Sequence, residues 1–131
     1  MASNAEIVEQ ILDAWRNLDS IPPELMDPEI EWVNPPDAVE AGTRRGRESF
    51  EGAQSAFGSA YSSVAMDVER QIERGDAVGV IVQTLYQGRG SGIEVHQRLG
   101  FAFTIRDGKV VRFEWSREPE ELLDRVLTPG E

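Results

Sequence analysis

The stretch IEVHQRLGFAFTIRDGKVVRFEWSR, residues 93–117, decides the fold. Ile93, Val95, Gln97, Leu99, Phe101, Phe103 and Ile105 alternate with Glu94, His96, Arg98, Gly100, Ala102, Thr104 and Arg106, a period of two that puts each set on one face of a strand. Asp107-Gly108 is a strong hairpin signal, because both residues tolerate the left-handed backbone of a two-residue turn. The chain then returns with Val111, Phe113, Trp115 and Arg117 against Val110, Arg112, Glu114 and Ser116. An antiparallel ribbon with one aromatic face is expected.

Upstream, Gly88-Arg89-Gly90-Ser91-Gly92 joins this ribbon to residues 77–87, where Val78, Val80, Ile81 and Val82 are apolar on both faces, as in a central strand. Arg74-Gly75-Asp76 leads back to a half-buried strand in which Val64, Met66, Val68 and Ile72 share the apolar face. Four strands thus form a meander. Phe50, Ala53, Phe57 and Tyr61 predict a helix over about 47–60, preceded by a polar loop carrying Gly42, Arg44, Arg45 and Gly46. Earlier still lies a strand over 29–34, with Ile30, Trp32 and Asn34 on one face. The first helix opens at Ser3 and Glu6, in capping-box spacing, and carries an apolar stripe of Ile7, Ile11, Leu12, Trp15 and Leu18; Pro22-Pro23 then begins a short turn that Asp27-Pro28 stops. The last helix starts at Pro119, buries Leu122, Leu123, Val126 and Leu127, and ends at Pro129-Gly130. The plan is α+β: one domain over 1–131, a cone-shaped, curved, mostly antiparallel sheet wrapped around N-terminal helices lying on one side of it.

Composition narrows the chemistry. Thirteen Lys+Arg against twenty-four Asp+Glu give 13 − 24 = −11, a field that repels phosphate backbones and anionic membranes, so neither nucleic acid nor a membrane is an expected partner. The absence of cysteine removes disulfides and thiol chemistry; a single histidine removes His-cluster metal sites, and no cofactor is expected. Lys109, the one lysine, sits in a hairpin, a poor place for a Schiff base. The first residues lack a basic, apolar leader, which reads as cytoplasmic.

Several short motifs, in this order, resemble the nuclear transport factor 2-like superfamily and its polyketide-cyclase-like (SnoaL-like) branch. They are Ala14-Trp15 with Asp19, Asp27-Pro28-Glu29-Ile30-Glu31-Trp32, Arg45-Gly46-Arg47, the 88–92 glycine run, and Thr104-Ile105-Arg106-Asp107-Gly108-Lys109-Val110-Val111-Arg112. The resemblance implies the cystatin-like fold with an internal cavity. It implies no single chemistry, because the superfamily holds isomerases, cyclases, epoxide hydrolases and non-catalytic proteins. Ketosteroid-isomerase catalytic positions map onto Asn34, Leu99 and Ile11, which cannot perform that proton transfer, and Arg98-Leu99-Gly100 lacks the Arg-x-Asp of the epoxide hydrolases.

If the cavity follows the family, Trp32, Asn34, Tyr86, Gln97, Leu99, Phe101, Phe113, Trp115 and Arg117 are its ligand-binding residues, with Ile30, Val80, Val82, Thr84, Val95 and Phe103 facing the same interior. The expected ligand is a small apolar organic molecule, and the expected assembly a homodimer through the outer sheet face. For a proton-transfer enzyme, Asp37 or Glu118 at the mouth would be the base. The alternative is a non-catalytic binding or dimerisation module whose cavity is filled by its own side chains. His96 falls on the outer face with Glu94 and Arg98, which argues against catalysis there.

Overall fold

Ser3 caps the first helix as its spacing predicts. In the computed structural model, which describes residues 2–127, the Ser3 hydroxyl accepts the Glu6 backbone N–H at 3.1 Å and the Glu6 carboxylate accepts the Ser3 N–H at 3.2 Å. Helix α1 (Asn4–Arg16) buries Ile7, Val8, Ile11, Leu12 and Trp15. A single 3-10 turn (Pro23–Leu25) leads into β1 (Met26–Asn34) and the short β2 (Gly42–Arg45). Helix α2 (Arg47–Ala60) precedes the meander β3 (Tyr61–Arg74), β4 (Ala77–Gly88), β5 (Glu94–Arg106) and β6 (Lys109–Ser116); α3 (Pro119–Leu127) closes the chain. The proposed stop at Pro129-Gly130 lies outside the described residues.

The six strands form one curled, open sheet in the order β2-β1-β6-β5-β4-β3. Every neighbouring pair is antiparallel except β1 and β6, which run parallel. The α+β architecture is the expected one. Strand β2 was expected as polar loop: four residues with two adjacent arginines carry no apolar alternation, and pairing with β1 alone makes them extended.

Two β-bulges correct the expected facing of the strands. Glu69 is skipped between the pairs Val68↔Val82 and Arg70↔Ile81, so the alternation flips there. Val64 and Met66 therefore join the inner core while Ile72 packs on the outer face. In β6, Val111 is skipped between Ile105↔Val110 and Thr104↔Arg112, so Val110, fully buried, takes the inward place expected of Val111. Phe113 and Trp115, beyond the bulge, keep theirs.

The helices do not share one side. The apolar face of α3 covers the outer sheet face, where Leu122, Leu123 and Leu127 pack on Ile81 and Ala102. Two glycines make room for it: a Cβ on Gly79 would lie 2.7 Å from Leu123 Cγ, and one on Gly100 would lie 2.8 Å from the backbone of Pro119. Beside this contact Glu114, outward-facing as expected, accepts from Arg125 at 2.5 Å and is nearly buried. Nearby, Arg98 bridges Glu69 at 2.6 Å and Glu120.

Candidate functional site

Helix α1 covers only part of the inner face. Over that part Ile7, Val8, Ile11 and Leu12 interlock with residues such as Val78, Phe103, Ile105 and Val110, and the space is filled. The chain then leaves the helix through Leu18, whose φ of 59° is left-handed; its N–H donates to Trp15 O and the Asp19 N–H to Ala14 O, the paired bonds of a Schellman turn. Glycine usually holds this position. Leucine there places its side chain against the core edge and Asp19 at the rim.

Where α1 ends, a cavity of about 490 Å³ begins. All nine residues expected at the site border it: Trp32 and Asn34 from β1, Tyr86 from β4, Gln97, Leu99 and Phe101 from β5, Phe113 and Trp115 from β6, and Arg117 just beyond. The other inward positions divide from them. Ile30, Val80, Val82 and Phe103 belong to the filled core, Thr84 is buried with its hydroxyl donating to Gln97 O, and Val95 packs at the core margin.

Phe113 joins the two regions, with ring centroids 5.1 Å from Trp15, 4.8 Å from Trp32 and 5.4 Å from Phe101. Across the mouth Tyr61 stacks on Tyr86 at 4.9 Å, and Phe57 packs against both, tilted to Tyr61 and nearly perpendicular to Tyr86. All three tryptophans of the chain border the cavity.

Polar groups are few, and the amides of Asn34 and Gln54 are oriented by their donors. Asn34 Oδ1 accepts from Trp32 Nε1 and from Trp115 Nε1, each at 2.7 Å. An indole N–H only donates, so the atom it meets must be the amide oxygen, and the remaining group of Asn34 is an NH2 donor. That nitrogen has no acceptor among the described residues and is reachable by solvent. Gln54, which sequence reading missed, is buried in α2 and accepts from Trp15 Nε1 at 2.8 Å and from the Ile21 N–H at 2.9 Å. Burial, opposed by the Thr84 hydroxyl, holds the Tyr86 phenol above its ordinary value, so it stays protonated at neutral pH.

The carboxylates fall differently from expectation. Asp37 is not on the cavity wall; it pairs with Arg117 Nη1 at 3.3 Å, and Glu118 borders nothing in the cavity. Glu40 borders it but pairs with Arg44 at 2.6 Å. Asp19 borders it with no ion pair among the described residues. The arginines of β2 and the start of α2 are held within the fold: Arg44 by Glu40, Arg45 by Glu31, and Arg47 by the Met26 carbonyl. His96 is exposed on the outer face, 3.8 Å from Glu94. Among the described residues no cluster of three or more His, Cys, Asp or Glu could hold a metal ion, and no helix is long and apolar enough to cross a membrane.

A family model for the SnoaL-like domain matches residues 8–113. The chain belongs to the SnoaL-like domain family. No curated protein sequence matches it. Among solved structures, this SnoaL-like domain is similar to a protein from Jannaschia sp. CCS1 assigned as a SnoaL-like polyketide cyclase, at 18% identity and TM-score 0.76, covering 97% of this chain and 93% of that one. TerC, co-crystallised with polyporic acid, is 22% identical with TM-score 0.73, over 95% and 97% of the two chains. A nuclear transport factor 2-like protein of unknown function from Burkholderia pseudomallei is 18% identical with TM-score 0.73, over 98% and 99%. At these identities the superpositions show a shared fold.

Proposed function

We propose that this SnoaL-like domain binds a small, flat, largely apolar molecule carrying oxygen acceptors. The observation that carries this reading is the Asn34 amide, whose oxygen is consumed by two indoles and whose NH2 is left facing unfilled, aromatic-lined space. A half-buried donor without a protein acceptor favours a ligand that supplies a carbonyl or enolate oxygen. Gln97 and the protonated Tyr86 add further polar contacts on the same wall. The ~490 Å³ of open space speaks against a cavity filled by its own side chains.

Polyporic acid, the molecule crystallised with TerC, has the required flat, oxygenated character and serves as a probe. Titration is expected to quench tryptophan fluorescence saturably, and Asn34→Leu to weaken binding about tenfold, the loss of one good hydrogen bond. Quenching that never saturates, or is indifferent to Asn34→Leu, would discard the proposal.

Turnover is a separate question, and Asp19 is the carboxylate placed to act in it as a proton acceptor, because Asp37 and Glu40 are held by arginines. A homodimer through the outer face would have to use the sheet that α3 leaves uncovered, around Glu94 and His96; light scattering on the purified protein measures it.

A further inference from the structure

Both arginines that border the cavity are neutralised by one short loop. Residues 35–41 connect β1 to β2 and form part of the mouth; from this loop Asp37 reaches Arg117 and Glu40 reaches Arg44. The two pairs are unequal. Arg44 is well held, 2.6 Å from Glu40 and 3.5 Å from the Ser49 carbonyl.

Arg117 is loosely held. Its fork carries five N–H donors, and one contact at 3.3 Å is longer than the 2.7–2.9 Å typical of a charge-assisted bond. Its side chain is 43% exposed, and the remaining donors face solvent or the cavity mouth. The guanidinium lies 5.0 Å from the Trp115 ring centroid, a cation–π arrangement that fixes the plane of the fork beside the indole whose N–H meets Asn34. A planar fork on a cavity wall, held by a single long contact, leaves a seat for a carboxylate or an enolate that can take both arms.

We propose that Arg117 is the seat for an anionic group on the ligand, and that Asp37 occupies this seat as an internal competitor while the cavity is empty. The proposal rests on the ligand-binding reading above and deepens it: the preferred ligands are flat aromatic molecules bearing an ionised carboxyl or enolate. When such a ligand enters, its oxyanion takes both arms of the fork, Asp37 is released to solvent, and the 35–41 loop loses one of its two ionic ties. Val39, fully exposed at the loop's tip, is then free to settle over the apolar part of the ligand.

The test compares anthraquinone carboxylate with the neutral hydroxymethyl anthraquinone of the same ring substitution, titrated against the purified protein by tryptophan quenching. The wild type is expected to prefer the carboxylate. Asp37→Asn is expected to tighten the carboxylate about two- to fivefold, the range of an exposed ion pair, and to leave the neutral probe unchanged. Arg117→Gln is expected to abolish the preference. Glu73→Gln, an equal change of charge on the exposed end of β3, is expected to keep the wild-type ratio.

Binding of both probes without preference, a preference that survives Arg117→Gln, or an Asp37→Asn ratio equal to that of Glu73→Gln would overturn the internal competitor alone. If neither probe quenches saturably, the ligand-binding reading falls and this proposal with it.

Discussion

The two ends of the curled sheet are made by the same strands and the same face, yet one is solid and the other hollow. In β5, Phe103 and Ile105 are fully buried beneath α1, whereas Gln97, four residues from Phe101 along the same face, stands half-buried on the cavity wall. Nothing in the alternation of β5 distinguishes them. What differs is the helix: α1 stops at Arg16, and the Schellman turn at Leu18 carries the chain away before it can cover the remaining aromatics. A pocket here is a core from which one layer has been withheld.

That contrast can be broken most directly at Phe113, the ring that touches both ends. Phe113→Ala removes a fully buried side chain packed among Trp15, Trp32 and Phe101, and urea denaturation is expected to register a loss of about 3–5 kcal/mol. A loss below about 1 kcal/mol would mean that the filled end is loosely packed and the contrast false. Gln54→Leu comes next: it strands the Trp15 indole and the Ile21 N–H in a buried setting, for an expected cost of about 1–3 kcal/mol by the same measurement.

At the hollow end stability and binding should separate. Gln97→Leu touches no intramolecular side-chain hydrogen bond, so its stability is expected to stay within about 0.5 kcal/mol of wild type while polyporic acid binding weakens. A large destabilisation would place Gln97 in the core instead. The smallest effect lies on the sheet edge, away from both ends, and sharpens the comparison by serving as its control. Arg98 and Gln83 hold the Glu69 carboxyl down at about 2, from an ordinary 4.5. A lowered folded value stabilises above the unfolded one and loses its effect as pH falls through the folded one, so the gap between wild type and Glu69→Gln should be full above 4.5 and close on the way to about 2. Acid titration of urea midpoints for the two proteins measures this; a gap independent of pH would assign Glu69 a packing role.

Local signals carried much of the fold. The capping box at Ser3 and Glu6 starts α1 where its hydrogen bonds are made, and Asp107 and Gly108 take φ values of 52° and 75° in the hairpin they announce. The bulges at Glu69 and Val111 had no such signal, because an extra residue in one strand becomes visible only when its partner strand is counted against it. The same limit hid β2 and the burial of Gln54: a strand made by its neighbour, and a polar side chain made internal by donors from α1 and from Ile21.

Away from the two bulges the sequence by itself determined which side chains share a face, and so which nine residues could line an interior, because the period of a strand is written in its residues. Whether that interior is filled belonged to the tertiary structure alone. It depends on where α1 ends relative to strands distant from it in the chain, and on the Trp115 indole of β6 reaching the Asn34 oxygen of β1. Both are contacts between elements, and the order of residues within any one element leaves them open.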